Sequence, residues 1–371
     1  MTHVKTVLIS GGAGFIGTRL ARRLVGGHRV VLLDNLHPQV HKNGAWPTDS
    51  PAEDEQRFGD VTEADAWNSA IADYKPNIIV HLAAETGTGQ SLTESHRHAS
   101  VNVTGTARML DALSHSGHRP EAIVLASSRA VYGEGQWKTV QGDLYYATSR
   151  GEQQLAEGKW EPIGPDGEEG QAVAHSAASV EPRPTNVYAA TKLAQEHLLS
   201  SWCTSMNVPL RILRLQNVYG AGQALENSYT GVLTYFARQA MAGEPINVYE
   251  GGDIVRDFVH VDDVVSALSA ALALPAEYGF GLVDIGSGSA GTLLEYATIL
   301  AEVAGSPAPE TSERFRLGDV RAAFADIAPA RALLGYEPQV SFQDGVVGLL
   351  EWARQGAGVS GDPLHALVQS E

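Results

Sequence analysis

The sequence predicts an α/β fold, with a doubly wound parallel sheet and a smaller C-terminal α/β lobe. Three observations support this fold class. Short apolar segments recur along the first half of the chain and are typical of buried parallel strands. A glycine-rich turn joins the first segment to an amphipathic helix. Each apolar segment also ends in small or polar residues, where open α/β sheets bind their ligands.

The first unit reads as strand, turn, helix and strand. Residues 5–10 form the first apolar strand, and the turn at 11–17 has the sequence Gly-Gly-Ala-Gly-Phe-Ile-Gly. Apolar residues then recur every four positions over 16–24, which indicates one buried helix face. Residues 29–34 form the second strand, which ends in the carboxylate of Asp34. This order predicts a dinucleotide-binding unit.

Each part of this unit has a chemical purpose in binding a dinucleotide. Gly11 allows a tight turn, Gly14 lets the backbone approach a pyrophosphate, and Gly17 lets helix and strand pack closely. The N–H groups at the helix N-terminus are free to bind the phosphates. Asp34 would accept hydrogen bonds from the adenosine ribose and repel a 2′-phosphate, so we expect NAD rather than NADP.

Two further strands, 77–82 and 122–127, extend the predicted sheet. Asp60 lies between the second and third strands, where it would either meet the adenine amino group or form a turn. The small residues Ala83 and Ala84, after Leu82, leave room for a cofactor.

Composition excludes several classes of protein. Of the 371 residues, 43% are apolar and 19% charged, which allows a sizeable core. The net charge of −17 and the absence of a basic patch argue against nucleic-acid binding. Cys203 is the single cysteine, so no intrachain disulfide or cysteine zinc site is expected, and a cytoplasmic location fits. The apolar stretch 264–275 is too short to cross a membrane.

Several motifs occur in the order of a known family. These are the turn at 11–17, Asp-Asn-Leu at 34–36, Gly-Asp-Val at 59–61, His-Leu-Ala-Ala at 81–84 and Val-Asn-Val-Thr-Gly-Thr at 101–106. They resemble the extended short-chain dehydrogenase/reductases, specifically the NAD-dependent epimerase/dehydratase family that acts on nucleotide sugars. The resemblance continues to about Trp352. It implies a Rossmann fold, NAD as cofactor, a nucleotide-diphosphate sugar as substrate and a homodimer formed through a helix bundle.

Tyr188 and Lys192 stand four residues apart, on one face of a predicted helix. A tyrosine is a poor base at neutral pH, but a neighbouring ammonium favours the phenolate. The pair is therefore suited to removing a proton from a sugar hydroxyl. Ser128 matches the family position whose hydroxyl bonds the reacting sugar oxygen. With Ser128, Tyr188 and Lys192 form the predicted catalytic set.

The resemblance also excludes one reaction. Nucleotide-sugar 4,6-dehydratases carry an Asp-Glu pair directly after this serine or threonine. Arg129 and Ala130 occupy those positions here, and neither is a plausible acid or base. We therefore reject 4,6-dehydration.

The resemblance assigns the remaining contacts. Arg256 is the best candidate for clamping the diphosphate, because a guanidinium suits bidentate contact with oxyanions, and Arg321 is a weaker candidate than Arg316. Tyr249 would either stack on the base or pack in the interior. The predicted substrate-binding residues are Glu85, Thr86, Ser128, Arg129, Asn217, Asn227, Tyr249, Arg256 and Arg316. The predicted cofactor-binding residues are Gly11, Gly14, Phe15, Ile16, Asp34, Asn35, Asp60, Val61, Leu82, Ala83, Ala84, Asn102, Ser127, Tyr188, Lys192 and Val218.

Three positions or segments depart from the general family pattern. The loop 85–91 and the long insert at 137–184 resemble the subgroup of dTDP-L-rhamnose 4-epimerases. Some members of this subgroup carry paired cysteines in the insert, but this chain has none there. The glycine- and acid-rich part of the insert, 164–179, is predicted to be a mobile flap. Asp284 stands where the family more usually has asparagine.

We expect a cofactor domain over 1–219, rejoined by 258–285, a sugar-nucleotide lobe over 220–257 and 286–356, and a loose tail over 357–371.

The function expected from these features is NAD-dependent 4-epimerisation of a dTDP-6-deoxy-L-hexose through a 4-keto sugar. A 4-ketoreductase or an oxidising decarboxylase with net redox chemistry remains an alternative, and a non-catalytic dinucleotide-binding module is a second one. The 13 histidines show no metal-ligand spacing, so we expect no metal.

Overall fold

The computed structural model describes residues 4–41, 43–48, 50, 55–223 and 231–357. In chain order the strands are β1 Thr6–Ser10, β2 Arg29–Asp34, β3 Gln56–Phe58, β4 Ile78–His81, β5 Ala122–Ser128, β6 Gln136–Lys138, β7 Leu144–Tyr146, β8 Gln171–Ala172, β9 Leu210–Leu215, β10 Asn217–Tyr219, β11 Asn247–Val248, β12 Val255–Arg256, β13 Phe258–His260, β14 Phe280–Ile285, β15 Gly291–Thr292, β16 Glu310–Thr311 and β17 Ala322–Ala323. The α-helices are α1 Phe15–Leu24, α2 Ala64–Tyr74, α3 Gln90–Thr93, α4 Ser95–Ala99, α5 Gly105–Ser116, α6 Glu152–Ala156, α7 Val187–Met206, α8 Val232–Met241, α9 Val261–Ala273, α10 Leu293–Ala304, α11 Ala328–Leu334 and α12 Phe342–Ala357.

The main sheet contains seven parallel strands in the order β3-β2-β1-β4-β5-β9-β14. The strand order reverses between β1 and β4, which is the point where such sheets bind ligands. The central strands are buried on both faces, in agreement with their apolar sequences. The predicted fold class is therefore confirmed.

Helices cover both faces of this sheet. On one face, α1 and α9 enclose a core that includes Leu20, Val264 and Leu268. On the other, α2, α5 and α7 enclose a core that includes Trp67 and Leu199. These two cores fix the carboxyl ends of the strands, and with them the residues of the site.

A third core belongs to the C-terminal part of the chain. Helices α8, α10 and α12 pack around Phe236, Leu300 and Leu350. Strand β14 returns to the edge of the main sheet, next to β9. The boundaries of the two lobes drawn from the sequence remain predictions, and the tail after residue 357 lies outside the described residues.

The insert contains a small sheet and contacts the C-terminal part of the chain. Strand β6 pairs with both β7 and β8, and His175 bridges to Ala325 in the C-terminal part of the chain. The amide of His175 donates to the carbonyl of Phe324 at 2.8 Å. These bonds anchor the C-terminal half of the segment 164–179, and its predicted mobility remains a prediction.

Within the described ranges, no helix is both long and apolar enough to cross a membrane. The same residues hold no group of three or more histidine, cysteine, aspartate or glutamate side chains suited to a metal ion. Cys203, on α7, is buried in the core on that face of the sheet.

Candidate active site

The glycine turn lies where β1 meets α1. Gly11 has φ +72°, and a Cβ there would come within 2.7 Å of the backbone nitrogen of Ala83. A Cβ on Gly17 would clash with the carbonyl oxygen of Gly11. Helix α1 follows the N-cap Gly14, which has no side chain over the first turn. The turn therefore leaves an open helix N-terminus that can receive a pyrophosphate.

One groove brings together ten of the predicted residues. Those that line it are Gly11, Gly14, Asp34, Asn35, Val61, Leu82, Ala83, Ala84, Glu85 and Thr86. Phe15 and Ile16 begin α1 beside it. The groove lies along the carboxyl ends of β1, β2 and β4, at the reversal of strand order. Its position is the one at which such sheets bind a dinucleotide.

The carboxylate of Asp34 is fixed at the end of β2. Its Oδ2 accepts from the amide of Ala13 at 3.0 Å, and its Oδ1 accepts from the amide of Leu36 at 2.8 Å. The bond to Ala13 joins the acid directly to the glycine turn. Asp34 thus faces the groove with its negative charge, as selection of NAD against NADP requires.

Asp60 is a turn aspartate. Its Oδ1 accepts from the amide and hydroxyl of Thr62, and its Oδ2 accepts from the side chain of Asn35 at 2.8 Å. Burial raises the pKa of Asp60, but these hydrogen bonds outweigh it and the pKa falls below its usual value. These bonds show Asp60 in a turn, where it orients Asn35, a residue of the groove. Contact of Asp60 with the adenine amino group remains a prediction.

Asn102 is fully buried and holds the backbone of the loop after β4. Its side chain exchanges two hydrogen bonds with the backbone of Glu85, at 2.8 and 3.0 Å. A third bond joins it to the hydroxyl of Thr191 on α7. Asn102 was predicted to bind the cofactor. In the structure it positions Glu85, which lines the groove.

Ser128 and Tyr188 meet at the carboxyl end of β5. The hydroxyl of Ser128 accepts from the amide of Ala130 at 3.1 Å. Burial raises the pKa of Tyr188, while the nearby hydroxyl of Ser128 and the charge of Arg129 act in the opposite direction. The predicted serine and tyrosine are therefore in contact, and the cation acting on the tyrosine is Arg129.

Lys192 lies one turn further along α7, almost fully buried. Its ammonium donates to the carbonyl of Ala126 at 2.8 Å and to the side-chain oxygen of Gln195 at 2.5 Å. Burial lowers the pKa of Lys192 to about 8, although Glu196 opposes this effect. Sequence reasoning missed Gln195, which shares a face of α7 with Lys192 at a spacing of three.

Ser127 was predicted to bind the cofactor, and this contact remains a prediction. Its hydroxyl donates to Glu196 at 2.5 Å in the interior, and Glu196 also pairs with Arg214 at 2.7 Å. Ser128, the next residue, caps the turn.

Arg129 connects the two halves of the site. Its Nε donates to Oδ1 of Asn217, the first residue of β10, at 2.9 Å. Burial lowers the pKa of Arg129 to about 10, and Arg256 lowers it as well. Val218 follows Asn217 and is partly buried against the sheet core. Arg129 and Asn217, both predicted to touch the substrate, are thus brought together beside Tyr188.

Arg256 is 4% exposed, and both of its terminal nitrogens donate hydrogen bonds to protein oxygens. It pairs with Asp319 at 2.9 Å and donates to the carbonyls of Val255 and Val320, both at 2.8 Å. The Asp319 side chain is 39% exposed, so this ion pair is the part of the arrangement that a ligand can reach. Contact of Arg256 with a diphosphate remains a prediction.

Arg316 lies on the surface with its guanidinium 5.6 Å from the ring centre of Tyr249, and Arg314 lies 5.8 Å from the same ring. Arg321, the weaker diphosphate candidate, is buried and pairs with Glu161, whose side chain is 30% exposed. Asn227 lies outside the described residues.

Asp262 and Asp263 lie in the first turn of α9. The helix begins at Val261, and its N-cap is His260. Asp262 pairs with Arg19 on α1, and Asp263 accepts from the amides of Gln339 and Val340. Both aspartates therefore join the helix to other elements.

Comparison with known proteins agrees with this geometry. The family model described as NAD dependent epimerase/dehydratase family matches residues 7–150 and 161–286. The chain is 48% identical to the dTDP-L-rhamnose 4-epimerase of Burkholderia thailandensis over 352 residues, covering 95% of each chain. It is 30% identical to the UDP-glucose 4-epimerase of Mycolicibacterium smegmatis, covering 94% of this chain and 98% of the relative.

Solved structures give the same result. The UDP-glucose 4-epimerase of Thermotoga maritima, solved with UDP-glucose, superposes with a TM-score of 0.75 at 25% identity, covering 95% of this chain and 99% of the other. The UDP-glucose 4-epimerase of Thermus thermophilus, solved with NAD, gives 0.72 at 27% identity, covering 94% and 99%. The groove, the Ser128–Tyr188 contact and these matches show that the chain belongs to the NAD-dependent epimerase/dehydratase family, with NAD as its cofactor.

Proposed function

We propose that the protein is a nucleotide-sugar 4-epimerase that interconverts dTDP-L-rhamnose and dTDP-6-deoxy-L-talose. The observation that carries the proposal is the 48% identity, over 95% of both chains, with a relative named dTDP-L-rhamnose 4-epimerase. The site supports it, because a serine and a tyrosine suited to sugar oxidation are in contact. Arg129 and Ala130 stand where a 4,6-dehydratase needs carboxylic acids.

The reaction needs a base for the sugar 4-hydroxyl. NAD, when bound, accepts the hydride of C4 and returns it to the opposite face of the sugar. Tyr188 takes the hydroxyl proton as the hydride leaves, and it returns a proton to the 4-keto oxygen when the hydride comes back. Ser128, whose hydroxyl lies beside Tyr188, orients the reacting oxygen. Arg129 stabilises the phenolate, and Lys192 is the donor expected to hold the nicotinamide ribose.

Epimerisation also requires the 4-keto sugar to turn over while its diphosphate stays bound. We assign the grip on the diphosphate to Arg256 and Arg316, and contact with the thymine base to Tyr249. Guanidinium groups suit a diphosphate, and an aromatic face suits a base. Hydride leaves and returns within one turnover, so the reaction has no net redox change and the cofactor stays in place.

We further propose that the protein is a cytoplasmic homodimer. The family resemblance implies association through a helix bundle, and α5 and α7 lie side by side on one face of the sheet. Leu198, Trp202 and Met206 of α7 are only partly buried and are available to a second copy. Light scattering coupled to size exclusion tests the dimer directly, and a monomeric mass would contradict it.

The experiment is to incubate the purified protein with dTDP-L-rhamnose, add no NAD, and follow the H3–H4 coupling by proton NMR. We expect a second sugar with a small coupling and no net NADH, because the resident cofactor is regenerated in each turnover. A requirement for stoichiometric NAD(H) would show a ketoreductase or an oxidising decarboxylase instead.

The matched variant is Tyr188→Phe, which keeps the ring and removes the phenol oxygen. We expect it to retain bound NAD and to lose turnover. Full activity of this variant would show that Tyr188 is not the base.

A further inference from the structure

The insert is attached to the C-terminal part of the chain through a buried ion pair. Arg150, in the insert, pairs with Glu250 at 2.6 Å, and each side chain is 1% exposed. A second nitrogen of Arg150 donates to the other carboxylate oxygen of Glu250 at 3.2 Å. The same guanidinium donates to the carbonyls of Trp160 and Asp319, at 2.9 and 2.8 Å. Arg150 is thus a bidentate, fully enclosed partner of Glu250.

A second buried arginine reinforces this attachment from the other side. Arg321 pairs with Glu161 of the insert at 2.6 Å and lies 3.4 Å from the Glu250 carboxylate. The backbone amide of Arg321 donates to Glu134, just before the insert, at 3.0 Å. Glu250 therefore lies between two arginines, one from the insert and one from the C-terminal segment.

Glu250 directly follows Tyr249, and its backbone is in an unusual conformation. Its φ is +52°, a region that residues with a side chain seldom adopt without support from their surroundings. Its amide donates to the carbonyl of Arg314 at 2.9 Å, and the next amide, of Gly251, donates to Ser312 at 3.1 Å. The conformation of Glu250 thus sets how the segment carrying Tyr249 meets the segment carrying Arg314.

These two segments together form one surface, which we name the aromatic–arginine surface: Tyr249, Arg314 and Arg316. Both guanidinium groups lie close to the ring centre of Tyr249, at 5.8 and 5.6 Å. The insert packs directly behind this surface, because the ring of Trp160 lies 6.4 Å from that of Phe315, between the two arginines. A planar ring beside two cations suits a planar base joined to a dianionic diphosphate.

We propose that the insert positions the aromatic–arginine surface for the nucleoside diphosphate of the substrate, and that Arg150 is the positioning residue, acting through Glu250. Loss of Arg150 leaves the Glu250 carboxylate buried without its bidentate partner. The strained conformation at Glu250 then relaxes, and Tyr249 moves relative to the two arginines. Ser128 and Tyr188 are on other elements, so the chemical step is preserved while binding of the nucleotide weakens.

The inference rests on the proposed function, and its test measures binding of dTDP itself by titration calorimetry, alongside kcat and KM for dTDP-L-rhamnose. For Arg150→Met, a folded variant with bound NAD, we expect Kd for dTDP and KM to rise at least about tenfold while kcat changes less than about threefold. Arg150→Lys keeps the charge and should recover part of the affinity. The matched control is Arg183→Met, an exposed arginine of the same insert, which should bind dTDP as the wild type does.

If Arg150→Met does not fold, the double variant Arg150→Met/Glu250→Gln removes both charges of the pair and takes its place. Unchanged affinity for dTDP in either folded variant overturns the inference and leaves the proposed function standing. Failure of the wild type to bind dTDP or UDP overturns the proposed function together with the inference.

Discussion

Lys192 donates a hydrogen bond from its ammonium to the side-chain oxygen of Gln195, one turn further along α7, at 2.5 Å. The amide nitrogen of Gln195 in turn donates to the hydroxyl of Thr106 at 2.9 Å and lies 3.3 Å from a ring nitrogen of His81. Burial lowers the pKa of His81 to about 3, so this imidazole is neutral. The ammonium of Lys192 is therefore held by a neutral polar network behind it.

Substitution of Gln195 should move the alkaline limit of activity. Gln195→Leu removes an acceptor from Lys192, so the pKa of the lysine falls below about 8 and kcat declines at lower pH. Gln195→Glu supplies a carboxylate, which raises that pKa and moves the decline to higher pH. The measurement is kcat over roughly pH 6 to 10 for both variants and the wild type. If kcat declines at the same alkaline pH in all three proteins, Gln195 does not control the pKa of Lys192.

Arg129 should control the acid limit of activity. Its charge lowers the pKa of Tyr188 against the effect of burial, so Arg129→Met raises that pKa. We expect the acid limb of kcat to move up by about one pH unit, the low end of the effect of a nearby opposite charge. Arg129→Lys keeps the charge and serves as the matched variant, with a smaller displacement. If kcat of Arg129→Met and of the wild type declines at the same acid pH, Arg129 does not control the pKa of Tyr188.

Asp284 should make stability depend on pH. Burial raises its pKa to about 6, while the hydrogen bonds from Tyr132 and from the amide of Ala177 act the other way. Because the folded-state pKa lies above the unfolded one, the folded state binds the additional proton, and its stability falls as pH rises from about 4 to about 6. Asp284→Asn has no such titration, so its stability relative to the wild type should increase over that window.

The check is denaturant unfolding of both proteins at several pH values on either side of this window. Asparagine is a suitable replacement, because it has nearly the shape of aspartate and cannot ionise. A difference in unfolding free energy that stays constant with pH would show that Asp284 titrates normally.

Gly11 should be intolerant of a methyl group for two separable reasons. Gly11→Ala requires a positive φ and also places a Cβ 2.7 Å from Ala83, in the wall of the cofactor groove. Gly117→Ala is the matched control, because Gly117 has φ +67° but nothing within 4 Å of its Cβ position. We expect the control to lose about 1 kcal/mol and keep NAD, while Gly11→Ala also loses bound NAD. Equal NAD content in the two purified variants would contradict the steric argument.

Sequence alone predicted the parts of the site whose members are close along the chain. The turn at 11–17 with Asp34, and the spacing of Tyr188 and Lys192, follow from the periods of a strand and a helix. In both cases the local secondary structure alone determines which side chains lie close together. Side-chain partners from distant segments were not predictable in this way. The bond from Ser127 to Glu196 and the pair of Arg256 with Asp319 depend on which loops the sheet brings together.

The same limit applies to the contacts of the insert. Its glycines and acids indicate a loop of high mobility when read locally. The residues that hold it, Glu250 and Arg321, come much later in the chain, and no local pattern connects them to Arg150. A buried charge is stable only with its partner, and the partner becomes visible only in three dimensions.

This separation has a consequence for the order in which the molecule folds. Arg150 and Glu250 are 100 positions apart, and the amide of Arg321 reaches back 187 positions to Glu134. During synthesis, the first strands of the sheet can pair while the insert still lacks the carboxylate and the guanidinium that enclose its charges. Docking of the insert is therefore a late event, completed only after residue 321 has left the ribosome. Truncation shortly before that residue should release the insert while much of the sheet remains formed.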